Sequence, residues 1–493
     1  MAKKEAKYLK EYKNLSMLEK LKYNFSKNLF TGAPLKKAVD DFQITFLGAA
    51  KTVTGSKYLL EKDKTKILVD CGLFQGLYDL RRRNWNQLPI HPRNIDAVIL
   101  THAHLDHSGY LPLLVKNGFK GKIYCTDSTY DLCKILLPDS GFLQEEDARY
   151  AKKHKYSKHK DPKPLYTQKD AIATFKQFKI INFNEEVKIS DDISFKIIHA
   201  GHIIGAGSIV VKSQNTSILF SGDLGRPNSP IVGDPDKIPA VDYIVTESTY
   251  GDRLHSNDDP LERLDEIINK TVAKGGKIVI PAFSVGRTQK ILYYINELKN
   301  KGRIPDIQVF LDSPMSIKVT SLVEDYKEEN KLTREQYEDI YKSVKFCVTR
   351  QQSKKIFNYT EPAIIISASG MATGGRVLHH IANYGPKPNC TILFTGYQAE
   401  GTRGRDMIDG KKEIKMHGEI VKIRAKVEKL SNMSDHADAN EIIDWLKTMP
   451  KKPKKVFITH GEVEASEALS KRIEKELGWK TEVPDYLEMK KIK

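Results

Sequence analysis

Runs of apolar residues, each closed by a short polar or glycine-rich turn, recur along the chain from residue 42 onward. Runs of this length bounded by turn residues predict buried β-strands. In the first half of the chain we predict strands at residues 43–50, 57–60, 66–72, 97–100, 193–198, 218–220 and 241–246. This part of the chain is therefore expected to be rich in β-sheet.

A second pattern occupies the middle of the chain. Apolar strands are predicted at Lys277–Ile280, Gln308–Leu311, Ala363–Ile366 and Thr391–Phe394, and helical stretches separate them. Strands that alternate with helices indicate a parallel sheet with crossover helices. We expect this segment to be a domain of its own.

The stretch after the predicted strand at residues 97–100 contains the densest cluster of potential metal ligands in the sequence. His102, His104, Asp106 and His107 lie within six residues, on a predicted loop before a helix that we expect to start at Tyr110. A single histidine on an apolar face is usually structural, but imidazoles and a carboxylate this close together are ligands that zinc prefers. The stretch predicts a metal site at the carboxyl end of a strand.

Two neighbouring histidines follow the strand at residues 193–198. Phe195, Ile197 and His199 alternate on one side of this strand, so His199 is predicted to be structural. His202 lies beyond Gly201, on the loop. The glycines around His202 do not match the spacing of a nucleotide-binding loop.

Charge and composition narrow the class of protein. The 493 residues carry a net charge of +17, which indicates either a polyanionic partner such as nucleic acid or a generally lysine-rich surface. Five cysteines without close pairing argue against a disulfide framework. With no apolar run long enough for a membrane span and no secretory signal pattern, we expect a soluble, cytoplasmic protein with no membrane partner.

Two basic segments leave alternatives open. Residues 1–41 are lysine-rich, and Leu15, Leu18, Leu21 and Phe25 fit one helical face. They predict a helix packed on a domain surface, or else a basic arm that contacts nucleic acid. The run of lysines and histidines at residues 152–160 is either a solvated helix face or a second nucleic-acid contact.

The motif His-x-His-x-Asp-His at residues 102–107 resembles the signature of the metallo-β-lactamase superfamily. The segments around Glu247, His436 and His460 resemble motifs A, B and C of its β-CASP nucleases, and the resemblance extends from about residue 42 to the end. The chain is similar to bacterial and archaeal relatives of the cleavage-and-polyadenylation endonuclease subunit. The implied fold is an α/β protein, a metallo-β-lactamase αββα sandwich with an inserted parallel α/β domain.

The resemblance also implies domain bounds and a set of site residues. The expected domains are a basic extension at 1–41, the first part of the sandwich at 42–250, the β-CASP domain at 251–427 and the rest of the sandwich at 428–493. One of two zinc ions is expected on His102, His104, His202 and Asp223, and the other on Asp106, His107, His460 and the same Asp223. Asp70 is expected to orient the histidine loop from beneath the metals, although an aspartate before a turn is otherwise an ordinary turn residue.

The implied reaction is hydrolysis of RNA by a metal-activated hydroxide, which leaves a 5′-phosphate and a 3′-hydroxyl. His436 is expected to be the general acid and Glu247 to orient it, while Asp106 and Asp70 complete the catalytic set. Substrate contacts are expected from Ser284, Arg287, Ser369 and Gly370, which otherwise serve as capping and turn residues. A homodimer is one candidate assembly.

Three alternatives to a ribonuclease differ in substrate or class. In the β-CASP branch DNA nucleases commonly carry valine at motif C, so His460 favours RNA. A small-substrate hydrolase is disfavoured by motif B and the inserted domain. A non-catalytic RNA-binding scaffold would be expected to have lost metal ligands, and every ligand position is filled here.

Overall fold

The structure, a computed structural model, describes residues 42–154, 160–256, 258–430 and 433–492. Three sequence predictions fall outside these ranges. They concern the helix within residues 1–41, the part of the basic run at 155–159, and Ser431 and Asn432 at the start of motif B.

The strands follow the predicted apolar runs closely. In chain order they are β1 Phe42–Phe46, β2 Tyr58–Lys62, β3 Thr65–Val69, β4 Ala97–Ile99, β5 Lys122–Cys125, β6 Phe178–Ile180, β7 Val187–Lys188, β8 Ser194–His199, β9 Gly207–Lys212, β10 Ser217–Phe220, β11 Tyr243–Thr246, β12 Lys277–Pro281, β13 Gln308–Leu311, β14 Val344–Phe346, β15 Ala363–Ser367, β16 Thr391–Phe394, β17 Glu413–Met416, β18 Glu419–Lys422, β19 Lys426–Lys429, β20 Lys455–Ile458, β21 Thr481–Glu482 and β22 Met489–Ile492.

The α-helices lie between these strands. They are α1 Tyr78–Arg83, α2 Leu105–Ser108, α3 Leu111–Lys116, α4 Asp127–His154, α5 Gln168–Thr174, α6 Pro260–Val272, α7 Arg287–Asn300, α8 Pro314–Asp325, α9 Arg334–Ser343, α10 Arg350–Phe357, α11 Val377–Tyr384, α12 Arg403–Ile408, α13 Ala439–Lys447 and α14 Val463–Leu477. Two 3₁₀ helices cover Pro92–Asn94 and Phe175–Gln177. No helix of the described residues is long and apolar enough to cross a membrane.

Two seven-stranded sheets face each other. Their strand orders are β22-β1-β2-β3-β4-β5-β6 and β21-β20-β11-β10-β9-β8-β7. Aromatic side chains fill the space between them, with ring centroids 5.4 Å apart for Phe46 and Phe457 and 5.6 Å apart for Tyr58 and Phe220. These contacts bury the inner face of both sheets.

Helices cover the outer faces of the two sheets. In β3, Ile67 and Val69 point into the core between the sheets, whereas Leu68 belongs to the helix-covered core outside. Both faces of the strand are buried, which explains why its sequence is a continuous apolar run. On the other sheet α13 and α14 pack over β11 and β20. The αββα sandwich is confirmed.

The third sheet has six strands in the order β14-β13-β15-β12-β16-β19, and every pairing in it is parallel. Ile278 and Ile280 of β12 face one layer of helices, and Val279 faces the other. The predicted inserted parallel domain is therefore confirmed. The apolar pattern did not predict its edge strands: β14 is only three residues long, and β19 is largely charged. Strand β19 also spans the predicted domain boundary at residue 427.

One local feature differs from the sequence prediction. Asp106 and His107 lie on the short helix α2 rather than on an irregular loop. The long helix α4 ends at His154, within the basic run at residues 152–160. The five cysteines are free and buried, as expected for a chain without a disulfide framework.

Candidate metal centre and catalytic site

The predicted site residues come together because six strands end at one edge of the sandwich. Asp70 follows β3, the histidine loop follows β4, and His202, Asp223, Glu247 and His460 follow β8, β10, β11 and β20. These strands run in one direction within each sheet. Parallel strands deliver the residues after their carboxyl ends to a common edge, which is where α/β folds place their sites.

The first group of candidate ligands contains His102, His104, His202 and Asp223. His104 Nδ1 lies 3.1 Å from His102 Nε2 and 3.3 Å from His202 Nε2. Asp223 Oδ2 lies 3.4 Å from His102 Nε2 and 3.6 Å from His202 Nε2. The potential ligand atoms of all four residues thus converge on one point.

The second group contains Asp106, His107 and His460. His107 Nε2 and His460 Nε2 are 3.1 Å apart, and Asp106 Oδ2 lies 3.6 Å from His460 Nε2. Asp223 Oδ1 is 3.1 Å from His107 Nε2. The two oxygens of Asp223 therefore face different groups, as a bridging carboxylate requires.

The other ring nitrogen of each of four histidines has a partner. His107 Nδ1 donates to Asp70 Oδ2 at 2.7 Å. The Nδ1 atom of His102 lies 3.0 Å from Thr101 Oγ1, and that of His202 lies 3.3 Å from the Asp435 carbonyl oxygen. The Nδ1 atom of His460 lies 3.2 Å from Thr249 Oγ1. Such contacts fix the tautomer and the ring orientation of metal-binding histidines. They leave the nitrogens that point into the centre free to bind a cation.

Asp70 holds the histidine loop from below. Its Oδ1 accepts hydrogen bonds from the Thr101 backbone (2.8 Å) and hydroxyl (3.0 Å), while Oδ2 binds His107. Asp70 is fully buried and has φ 57°, an unfavourable conformation for a side-chain-bearing residue that clusters at functional sites. A Cβ at Gly72 would lie 1.5 Å from the Asp106 carbonyl oxygen, so only glycine lets the two loops pack this closely.

The donor set fits bound metal ions. Tetrahedral zinc with bonds of about 2.0–2.1 Å to nitrogen places neighbouring ligand atoms about 3.4 Å apart, close to the spacings above. Asp223 Oδ1, which faces the second group, is buried without a hydrogen-bond partner among the described residues. Burial lowers the pKa of His104 to about 3, so this ring is neutral and keeps the lone pair that a metal ion needs.

His436 and Glu247 form a pair beside the first group. His436 Nδ1 lies 3.2 Å from Glu247 Oε2, and its Nε2 points toward Asp223 Oδ2 at 3.9 Å. Burial lowers the pKa of His436, but the charges of Glu247 and Asp223 outweigh it and raise the pKa to about 9. The protonated ring can therefore donate a proton at the metal centre. Asp438 caps α13 with a capping box and fixes the turn that carries His436.

The predicted substrate-binding residues lie on the inserted domain. Ser369 is partly exposed, with its hydroxyl 2.9 Å from that of Thr373, and Gly370 is buried. Ser284 is buried and accepts a hydrogen bond from Ser316 (3.0 Å). Arg287 is also buried, and its Nη2 donates to Asp435 Oδ2 at 2.9 Å, so this guanidinium is already ion-paired.

His199 lies apart from both ligand groups. It is the last residue of β8 and stacks on Phe183 with ring centroids 3.6 Å apart, as the alternation in the strand predicted. The sequence pattern indicated no role for Thr101, Thr249 or Asp435, which contact the candidate ligands. No sequence signal distinguishes them, because threonine after a strand and aspartate in a turn are common.

Family models match three consecutive parts of the chain. The metallo-β-lactamase superfamily matches residues 52–274, the Beta-Casp domain residues 288–407, and the Zn-dependent metallo-hydrolase RNA specificity domain residues 420–484. The fold alone is shared with the crystal structure of an Enterococcus faecalis protein of unknown function, with a TM-score of 0.50 and 13% identity over 92% of this chain and 100% of that one.

Three curated relatives match most of the chain. A ribonuclease of Thermus thermophilus is 33% identical over 87% of this chain and 95% of its own length. An RNase J-like protein of Methanocaldococcus jannaschii is 33% identical over 90% and 97%. A transcription termination factor of Methanosarcina mazei is 32% identical over 90% of this chain and 71% of its own length.

Proposed function

The chain belongs to the metallo-β-lactamase superfamily and its β-CASP branch, a family of metal-dependent hydrolytic nucleases, and we propose that it is a zinc-dependent ribonuclease. The observation that carries the proposal is the pair of ligand groups joined by Asp223 next to the His436–Glu247 pair. The relatives named as ribonuclease and RNase J-like support RNA as the substrate.

Two zinc ions would be held by the residues of these groups. His102, His104, His202 and Asp223 would bind one, and Asp106, His107, His460 and Asp223 the other. Bound zinc supplies Lewis-acid chemistry, since it makes water a better nucleophile near neutral pH and offsets the negative charge of a phosphate. Asp70 keeps the His107 ring oriented through its Nδ1.

His436 is the proton donor of the proposed reaction. Its Nε2 faces the centre, and the Glu247 carboxylate at Nδ1 keeps the ring protonated and in one orientation. Attack of water on the phosphorus forms the new P–O bond, and transfer of the His436 proton to the departing 3′-oxygen completes cleavage of the P–O3′ bond. The 2′-hydroxyl is not used, and the products would be a 5′-phosphate and a 3′-hydroxyl. This assignment is general acid catalysis by a positioned histidine.

RNA would approach across the inserted domain. We retain Ser284, Arg287, Ser369 and Gly370 as the proposed substrate contacts, with Ser369 the most accessible of them. Arg287 keeps one buried nitrogen, Nη1, without a partner among the described residues. The net charge of +17 favours a polyanion. The domain bounds 42–250, 251–427 and 428–493, a cytoplasmic location and a homodimer remain part of the proposal.

The decisive experiment replaces His436. In the zinc-loaded protein, His436→Ala should lower turnover of single-stranded RNA by about 10²–10⁴-fold while both zinc ions stay bound. His379, which is exposed on the inserted domain, provides a control, and His379→Ala should leave turnover unchanged. Near-normal turnover of His436→Ala would exclude it as the acid. A wild-type protein that binds RNA and zinc but cleaves nothing would instead be the non-catalytic scaffold.

The second candidate is a DNA nuclease of the same branch, which the same metal centre could serve. His460 at motif C favours a ribonuclease over a DNA nuclease. A matched pair of RNA and DNA oligonucleotides of one sequence separates the two, because a ribonuclease should cleave the RNA faster.

A further inference from the structure

An exposed aromatic and basic surface lies beside α1, outside the metal centre. Leu77, Tyr78 and Trp85 are 39%, 62% and 61% exposed, and Arg81 and Arg82 between them are exposed too. The other two tryptophans of the chain, Trp445 and Trp479, are buried. We call Leu77, Tyr78, Arg81, Arg82 and Trp85 the α1 platform. Large side chains this exposed within nine residues are a signature of a binding surface.

The α1 platform is fixed in place by both domains. Asn84 accepts a hydrogen bond from the Phe74 backbone at 2.9 Å and donates to the Phe74 carbonyl at 2.8 Å, which holds the end of α1. A Cβ at Gly401 of the inserted domain would lie 2.9 Å from a methyl group of Leu77. The exposed rings are therefore presented by a well-packed segment rather than by a loose loop.

A groove lies next to this platform, and Leu77 is part of its lining. It has a volume of about 270 Å³ and runs from Ala50 and Glu462 to Leu77 and Arg83. The His460 backbone donates a hydrogen bond at 2.6 Å to the carbonyl of Ala49, the residue that precedes Ala50 of the groove lining. A chain whose reacting group sits at the metal centre could continue through the groove to the α1 platform.

The charges of this surface suit a phosphate backbone. Arg81 and Arg82 present two exposed cations on this surface. Arg83 lies over the Tyr486 ring at 4.2 Å. Three carboxylates line the groove: Asp485 pairs with Lys51, Glu462 accepts a hydrogen bond from the Tyr397 hydroxyl at 2.5 Å, and Glu400 is exposed.

We infer that the α1 platform binds single-stranded RNA near the cleavage site, with bases stacked on Trp85 and Tyr78 and phosphates on Arg81 and Arg82. Aromatic rings and arginine planes are the groups on which unpaired bases stack, and basic side chains alongside track the backbone. This inference rests on the proposed ribonuclease function. The inference adds a second binding site, which would hold the part of the RNA chain that extends beyond the scissile phosphate.

The test combines kinetics with tryptophan fluorescence on the full, zinc-loaded chain. Trp85→Ala should raise KM for a single-stranded RNA long enough to span the groove by about tenfold, in line with the measured value of one base stack, while kcat changes less than about twofold. Trp85→Phe should restore most of the affinity, because the ring is kept. Ile172→Ala removes a comparably exposed side chain on α5 (57% exposed) and should leave KM unchanged.

Fluorescence gives a readout that does not depend on cleavage. RNA should quench the emission of Trp85, and the quench should be lost in Trp85→Phe because the remaining tryptophans are buried. A wild-type KM in Trp85→Ala together with an unchanged quench in Trp85→Phe would overturn the platform, even if RNA is cleaved. If zinc-loaded wild-type protein cleaves no RNA but the quench appears and is lost in Trp85→Phe, the ribonuclease proposal fails while the RNA subsite stands.

Discussion

The buried ion cluster at Asp435 offers a sharp test of how the two domains are held together at the active site. Asp435, on the sandwich side, accepts hydrogen bonds from Arg287 Nε (3.2 Å) and Nη2 (2.9 Å) with Oδ2, and pairs with Lys290 through Oδ1. The three side chains are at most 10% exposed. Although burial raises the pKa of Asp435, the two cations hold it well below its usual range.

Asp435→Ala would leave two buried cations without their counter-ion. Breaking a buried pair by removing one partner costs about 3–5 kcal/mol, so the free energy of unfolding should fall by about that amount. The Asp435 carbonyl also contacts His202 Nδ1, and His436 is the next residue. Loss of the cluster should therefore lower kcat as well as stability.

The measurement is denaturant unfolding of the variant beside a surface control. Glu266 pairs with Arg263 and Lys270 on the outer face of α6, and Glu266→Ala should change the free energy of unfolding much less, because ion pairs in solvent contribute little. Asp435→Asn keeps the size of the side chain but not its charge. Its loss in free energy of unfolding should lie between those of Asp435→Ala and Glu266→Ala. A loss below about 1 kcal/mol in Asp435→Ala would refute the reasoning, because a buried charge would then tolerate the absence of its partner.

Two further predictions concern the metal ligands and the substrate. His202→Ala should lose zinc and activity with the fold intact, whereas His199→Ala, stacked on Phe183 away from the centre, should keep both zinc ions, and the reverse pattern in elemental analysis would overturn the assignment. Single-stranded RNA should be cut faster than DNA of the same sequence, and its affinity should fall with salt by a log–log slope of about 0.7 per phosphate contacted. Equal rates on both nucleic acids would instead favour the DNA nuclease.

Much of the fold could be predicted from the local pattern of the sequence. Strands β3, β4, β10, β12 and β15 are apolar runs ended by turn residues, and a strand buried on both faces needs nothing else to be recognised. The dense histidine loop predicted a metal site in the same local way, since three imidazoles and a carboxylate within six residues suit a cation far better than an apolar core. Strand β14 has only three residues, and three of the four residues of β19 are charged. Neither contains an apolar run long enough to be recognised, so both were missed.

Only the tertiary structure decided how the distant site residues combine. Asp223 faces both ligand groups because β10 lies beside β11, and β20 completes the row from the far end of the chain. Thr249 contacts His460 and Asp435 contacts His202, and both pairs are far apart in the sequence. No local pattern could therefore have identified Thr249 or Asp435. The sequence predicts which side chains can bind metal or move a proton, because that depends on residue type. Distances of 3–4 Å between them depend on strand order and domain packing, which local spacing does not encode.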